Sequence, residues 1–391
     1  MFCGAGLPLK RGFKVKSYSG VPVKRKRCIG ILTDDEFVSH RSMFVLLKKD
    51  VSLYNLGFAG YITEGLKNTP FSCSHVKVED IVSLRNELGN VVGIDEDGCV
   101  NVLWDFNSIH NVLFLTEACN ARCIMCPQPP KEYSDIHFKD ANTVLDMIKN
   151  KDVGCICITG GEPTIRSDSF LKILSRCTRE HPTAQIDILT NGQNFSNFEF
   201  TKKVAQLATD RVLFCISLHA DDESVHDSIS CVRGSFAKTH AGLFNLKRFG
   251  LRVEMRFVVN KINFNRICNV PDFITRNYPF VEHVALMGLE MTGLAAKNKE
   301  SVWINPVTYT ENITGFVKEA SRRGINFSLY NYQLCLIPKN ARPYARRSIS
   351  DWKQEYHSLC LECSFKDECC GFFTTSESDL GCSIVPIKKE D

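Results

Sequence analysis

The stretch Thr116-Glu117-Ala118-Cys119-Asn120-Ala121-Arg122-Cys123-Ile124-Met125-Cys126 decides the reading of this chain. It follows directly on Val112–Leu115, a short apolar run that reads as a buried strand. The spacing of its cysteines is C-x3-C-x2-C. Three thiolates on one short loop suit three irons of a 4Fe–4S cube and leave the fourth iron open. Zinc competes for such residues. A structural zinc site takes four ligands, commonly from paired C-x2-C units, and no histidine stands at ligand spacing inside this loop.

Downstream, short apolar runs alternate with helical stretches. Strands are expected at Val112–Leu115, Cys155–Thr159, Gln185–Thr190, Val212–Leu218, Arg252–Val259 and His283–Leu289. Helices are expected near Ala141–Asn150, Ser169–His181, Phe198–Ala208, Ser235–Gly250, Arg266–Asn277 and Tyr309–Arg323. Such alternation predicts a parallel sheet with helices outside. Right-handed crossovers close it into a barrel or partial barrel, whose active site sits at the C-terminal ends of the strands.

The residues before Asn111 read differently. Phe44–Leu47, Tyr61–Thr63 and Val91–Ile94 are β-like runs, and Asp95-Glu96-Asp97-Gly98 before Cys99–Trp104 reads as a hairpin turn. The expected organisation is an N-terminal α+β or mostly β domain over residues 1–110, an α/β core over 111–300 and a Cys-rich C-terminal extension over 301–391.

Further motifs fall at the strand ends. Gly160-Gly161-Glu162-Pro163 follows the second strand. Its glycines let a ligand approach the backbone, and Glu162 supplies an acceptor. Alone, these four residues are also an ordinary strand-ending turn. Thr190-Asn191-Gly192 follows the third strand, Ser217-Leu218-His219-Ala220 ends the fourth, and Met287-Gly288-Leu289-Glu290 ends the sixth. His219 reads as a proton relay or as a satisfied loop-end histidine. Arg256 on the fifth strand reads as a ligand-pairing cation or as a surface charge. Cys155, Cys157, Cys177 and Cys215 lie inside strands or helices and read as small buried hydrophobes.

Taken together, these motifs resemble the radical S-adenosylmethionine (radical SAM) superfamily. The resemblance implies a partial (β/α)6 barrel, a catalytic 4Fe–4S cluster on Cys119, Cys123 and Cys126, and S-adenosylmethionine as cofactor. It implies that the Gly160, Gly161, Glu162 and Pro163 loop holds the methionine amino group. Asn191 lies in a turn common in the family, Ser217 would contact ribose or carboxylate, Arg256 would pair with the carboxylate, and Gly288 would approach the adenine. The position before the third cysteine is usually aromatic in the family and is Met125 here.

The tail carries Cys335, Cys360, Cys363, Cys369, Cys370 and Cys382. The spacing C-x2-C-x5-C of Cys360, Cys363 and Cys369 resembles auxiliary-cluster domains of radical SAM peptide maturases, with Cys335 as expected fourth ligand and Cys370 and Cys382 as rivals. The fuller, two-cluster form of that domain needs more cysteines, and its next one falls on Phe373. One auxiliary 4Fe–4S cluster is therefore expected, with zinc as the alternative. Cys126-Pro127-Gln128-Pro129-Pro130, Ser348–Lys353 and Gly371-Phe372-Phe373 resemble the maturase of His-Xaa-Ser repeat peptide systems. That resemblance implies a ribosomally made peptide substrate, an electron donor such as flavodoxin or ferredoxin, and a partner maturase of the same system.

Composition sets the outer limits. The 391 residues are 44% hydrophobic and 24% charged, those of a globular protein rather than a disordered or collagen-like one. No run has the length of a membrane span, and Met1–Lys10 lacks the apolar stretch of a signal peptide, so a cytosolic location is expected. There, 19 cysteines point to metal more than to disulfides. A net charge of +4 does not by itself argue for nucleic acid. Lys24-Arg25-Lys26-Arg27 reads as a solvated face or, in a radical SAM enzyme acting on a nucleic acid or small molecule, a phosphate contact. A third reading is a non-catalytic iron–sulfur or zinc carrier or scaffold, to which the Gly160–Pro163 loop would be superfluous.

Overall fold

The computed structural model describes residues 16–49, 56–65, 73–109, 111–350, 353–376, 380 and 383–388. Met1–Lys10, Asp351, Trp352 and Cys382 lie outside these residues.

Eight strands form an N-terminal sheet: β1 (Ser17–Tyr18), β2 (Gly20–Lys24), β3 (Cys28–Thr33), β4 (Phe44–Leu47), β5 (Gly60–Thr63), β6 (Ser74–Val78), β7 (Val91–Ile94) and β8 (Val100–Trp104). Their order is β1-β8-β7-β3-β4-β5-β6-β2, with β3 to β6 parallel and the outer pairs antiparallel. The expected hairpin joins β7 and β8, closed by the Gly98 N–H on the Asp95 carbonyl at 3.0 Å. Gly98 has φ 89°, a conformation an L side chain rarely adopts. Leu32, Val45, Leu47, Ile62 and Val76 pack with Ile81 and Leu84 of the short helix α1 (Ile81–Leu84).

A second sheet carries the remaining long strands: β9 (Val112–Phe114), β10 (Cys155–Thr159), β11 (Gln185–Thr190), β12 (Val212–Ser217), β13 (Arg252–Val258), β14 (His283–Met287), β15 (Phe327–Tyr330) and β16 (Ala345–Arg346). They lie in sequence order and every pairing is parallel. The six expected strands are all present in one parallel sheet. β15 and β16 extend the sheet beyond them. On the outer face, Ile156, Ile158, Ile186, Ile188, Phe214 and Ile216 are buried in one core with Phe170, Ile173 and Leu174 of α3 (Ser167–Glu180). Each such side chain contributes about 1.5–3 kcal/mol by leaving water. Two crossover helices, α4 (Phe198–Leu207) and α5 (Glu223–Ser230), start on side-chain caps. Asn197 Oδ1 accepts from Phe200 N at 3.0 Å, and Asp222 Oδ1 from Val225 N at 3.0 Å.

The inner face is polar, as the period of two along each strand requires. Cys155 and Cys157 are half-buried there, not in the outer core, and Cys155 Sγ stands 3.9 Å from Asp187. Cys177 and Cys215 are buried as expected. Arg256 Nε donates to Glu254 Oε1 at 2.6 Å, Glu254 Oε2 meets His283 Nδ1 at 2.8 Å, and His283 Nε2 meets Ser328 Oγ at 3.0 Å. Burial works against the Glu254 charge, but His283 and Arg256 prevail and hold its carboxyl down to about 2. Arg256 is thus an inward, ion-paired residue rather than a surface charge.

The two sheets meet at α2 (Ile136–Ile148), where Arg27 donates to Asp140 at 2.5 Å. Trp104 and Val91 join the core of the second sheet. The tail folds back with a two-stranded antiparallel pair, Gln354–Glu355 with Phe372–Phe373. No helix among the described residues is long and apolar enough to cross a membrane.

Candidate active site

The loop after β9 holds Cys119, Cys123 and Cys126, all half-buried and free of disulfides. Their placement is fixed from three directions. Arg122 N and Ile124 N donate to the carbonyls of Ser230 and Ile229 at 3.1 and 2.8 Å. Those carbonyls belong to α5 (Glu223–Ser230), a helix the strand–helix alternation did not reveal. Leu294 N donates to the Cys126 carbonyl at 2.8 Å and Asn298 Nδ2 to the Ile124 carbonyl at 2.8 Å. Gly293 is required at that contact, since its φ is 59° and a Cβ would sit 2.3 Å from the Pro127 oxygen.

The Gly160–Pro163 turn supplies the third hold. Gly161 N donates to the Thr116 carbonyl at 2.7 Å and Glu162 N to the Ala118 carbonyl at 2.9 Å. A Cβ on Gly160 would lie 2.7 Å from the Thr116 oxygen, and one on Gly161 would lie 2.4 Å from the Ala118 oxygen. The glycines therefore bring the turn against the backbone of the cysteine loop. Glu162 is fully buried and spent within the protein. Its Oε1 accepts from Thr164 N, Thr164 Oγ1 and Thr190 Oγ1 at 3.1, 2.5 and 2.7 Å, and its Oε2 from Asn191 N at 2.8 Å. Burial raises its pKa against the pull of those bonds. Pro163 is buried at the first position of a 3-10 turn, Pro163–Ile165.

Asn191 reaches the cysteine loop directly, its Nδ2 donating to Asn120 Oδ1 at 2.7 Å. Ser217 ends β12 in register with Arg256. Gly288 N donates to the Tyr330 carbonyl at 2.8 Å. Gly288 also lines a cavity between the strand ends and the tail, with Val259, Met291, Trp303, Tyr309 and Phe373. Met125 is buried with Ile229, Met291, Ala295 and Val302, and Asn260 Nδ2 donates to its sulfur at 3.1 Å.

The expected residues thus gather at the C-terminal ends of β9 to β14. Burial pushes the Cys119 thiol up to about 12 and raises Cys123 and Cys126, with the thiols of Cys119 and Cys126 pushing Cys123 further. A cation would draw these protons off. His219 is buried beside them, its Nε2 4.0 Å from Cys123 Sγ. Its Nδ1 has no partner among the described residues, so it is not the satisfied histidine that was one of its two readings.

In the tail, Cys335, Cys360, Cys363 and Cys369 line one cavity together with Leu334, Tyr356 and Phe372. Cys370 is buried outside it, its sulfur 3.2 Å from the Tyr332 carbonyl oxygen. The Cys370 thiol bonded to Cys369 holds Cys369 down to about 6, which makes it the most acidic of the tail thiols whose shift is resolved. Among the described residues, no three His, Cys, Asp or Glu side chains converge on one ion position. Lys353 Nζ binds both oxygens of Glu290 at 3.0 and 3.2 Å and fastens the tail to the end of the sixth strand.

Residues 113–273 match the model of the Radical SAM superfamily. Similar curated proteins each match part of the chain. Fe-coproporphyrin III synthase of Methanosarcina barkeri is 28% identical over 163 residues, which are 41% of this chain and 39% of that protein. Mycofactocin maturase MftC of Mycolicibacterium smegmatis is 31% identical over 159 residues, 39% of this chain and 38% of that protein. An uncharacterized protein of Methanocaldococcus jannaschii is 25% identical over 261 residues, 64% of this chain and 84% of that protein. The chain spans about two-fifths of the length of the first two. Among solved structures, that of Streptococcus suis SuiB bound to S-adenosylmethionine has a TM-score of 0.47 at 19% identity, over 56% of this chain and 49% of that one.

Proposed function

We propose that this protein is a radical SAM peptide maturase whose substrate is a ribosomally made peptide with His-Xaa-Ser repeats. The observation that carries the catalytic part is the placement of three thiols on one short, braced loop at the strand ends, a soft donor set that a 4Fe–4S cluster would draw together with one iron left over. Cys119, Cys123 and Cys126 hold the 4Fe–4S cluster. When bound, the cluster and S-adenosylmethionine supply reductive cleavage of the sulfonium bond and a 5′-deoxyadenosyl radical that takes a hydrogen atom from substrate.

This chain's residues bind and enclose. The carbonyls of Gly160 and Gly161 are the acceptors this turn offers an ammonium group, because Glu162 is occupied in bracing the turn. Arg256 meets the carboxylate with the guanidinium nitrogens that Glu254 leaves over. Ser217 and Asn191 would flank it, and the Gly288 backbone would border the adenine. The tail closes the mouth and keeps water from the reacting atoms. Cys335, Cys360, Cys363 and Cys369 would hold a second 4Fe–4S cluster, which would supply an electron acceptor for the substrate or an anchor for the tail. A flavodoxin or ferredoxin supplies the first electron, and a second maturase of the same system works on the same peptide.

The peptide part is supported by the likeness of part of the chain to a maturase and by the cysteine spacing of the tail. Anaerobic protein, reductant and S-adenosylmethionine should yield 5′-deoxyadenosine, read by mass spectrometry. A His-Xaa-Ser repeat peptide should increase the yield and change in mass. Cleavage without any change in that peptide would remove the substrate assignment, and absence of cleavage would remove the enzyme assignment.

A further inference from the structure

We infer that His219 donates a hydrogen bond from Nε2 to the Cys123 sulfur and thereby sets the reduction potential of the cluster on that loop. The inference rests on the reading of Cys119, Cys123 and Cys126 as cluster ligands.

His219 lies one residue past the end of β12 plus Leu218, and its backbone is fixed on both sides. Its N–H donates to His226 Nδ1 at 3.1 Å, and its carbonyl accepts from Asn263 Nδ2 at 2.9 Å. The two imidazoles stack with centroids 5.3 Å apart and planes at 26°. The ring is 6% exposed, so it cannot swing out without opening the packing. This fixes Nε2 on the side of Cys123, 4.0 Å from its sulfur.

The proton position follows from the neighbours. Nδ1 is buried and faces no donor or acceptor among the described residues. A thiolate is an acceptor, so the hydrogen belongs on Nε2, facing the sulfur, and Nδ1 keeps its lone pair. Hydrogen bonds to cluster sulfurs withdraw charge and favour the reduced state, which raises the potential. His219 acts through Cys123 and is a positioning residue, not a catalytic one.

The test compares the parent chain with His219→Leu and His219→Gln, all reconstituted with iron and sulfide without oxygen. Iron content reports the cluster, and an EPR-monitored redox titration reports its potential. Variants of the tail cysteines serve as background, so that only the first cluster is seen. The expected result is a full cluster in each protein, a more negative midpoint for His219→Leu, and recovery toward the parent for His219→Gln, which restores an N–H donor. A Leu variant with the parent's midpoint overturns the inference. So does loss of the cluster in both variants, which would mean that the ring acts through its shape. A parent chain that takes up no iron would instead overturn the ligand assignment, and the inference with it.

Discussion

Asn191 Nδ2 donates to Asn120 Oδ1 at 2.7 Å, so the turn after the third strand holds the loop that carries the cysteines. The sequence assigned Asn191 to the cofactor. In the structure its amide nitrogen braces the loop as well. Asn191→Ala removes a bond of about 0.5–1.5 kcal/mol and leaves the barrel core untouched. The expected outcome is an unchanged circular dichroism spectrum with faster loss of iron to a chelator.

Glu162→Gln should act on the fold before it acts on ligand binding. The carboxylate accepts from two backbone N–H groups, on Thr164 and Asn191, one on each oxygen. An amide cannot accept at both atoms, and a backbone N–H cannot be turned round. One buried pair is left opposed, at about 1–3 kcal/mol. Thermal unfolding should show a lower Tm, and iron uptake should fall with it. An unchanged Tm would mean that the turn tolerates the loss.

Gly161→Ala tests how closely the turn must approach the cysteine loop. The added methyl would meet backbone, the Ala118 oxygen at 2.4 Å, which cannot move aside as a flexible side chain would. Overpacking of this kind costs about 1–3 kcal/mol. Chemical denaturation should show the loss, and S-adenosylmethionine affinity measured by calorimetry should fall as well.

Acid should weaken the barrel through Glu254. Its carboxyl titrates near 2 in the folded chain against an ordinary value of 4.5. A depressed folded pKa contributes stability above the ordinary value and loses it as pH falls from 4.5 toward 2. The contribution is about 3 kcal/mol when fully present. Glu254→Gln should be less stable near neutral pH and show a flatter fall below pH 4.5 in denaturant titrations.

Cys363 tests the tail. With Cys119, Cys123 and Cys126 replaced by Ala, the protein should still be brown and carry about four irons per chain. Replacing Cys363 as well should bleach it and expose the tail to proteolysis, since bound metal contributes folding energy. One zinc and no iron in the first protein would make the tail a zinc knot.

The barrel was legible because each strand is an apolar run followed by a motif, and the cysteine loop because its spacing has few competing readings. β15 was not. Phe327–Tyr330 is four residues long, too short to stand out, although Gly324 after an amphipathic helix marked where a strand could begin. Helix α5 was missed for the same reason of length, with Asp222 as its one visible cap. The work of Glu162 was hidden because its partners Thr190 and Asn191 come from another strand end. Arg256 offered two readings from sequence, and only the neighbouring strands show that it faces inward against Glu254. The tail cysteines were legible too: the spacing gave Cys360, Cys363 and Cys369, Cys335 was the expected fourth, and these four line one cavity.

The bond from Asn298 to Ile124 spans 174 positions of chain. During synthesis the cysteines emerge early, but the residues that brace them arrive only when α5 and then the segment around Gly293 have left the ribosome. For much of translation the three thiols are therefore on an unbraced loop. If these thiols take iron, loading would fall late in biogenesis, and a nascent chain halted before Thr292 should bind iron less tightly than one halted after Trp303.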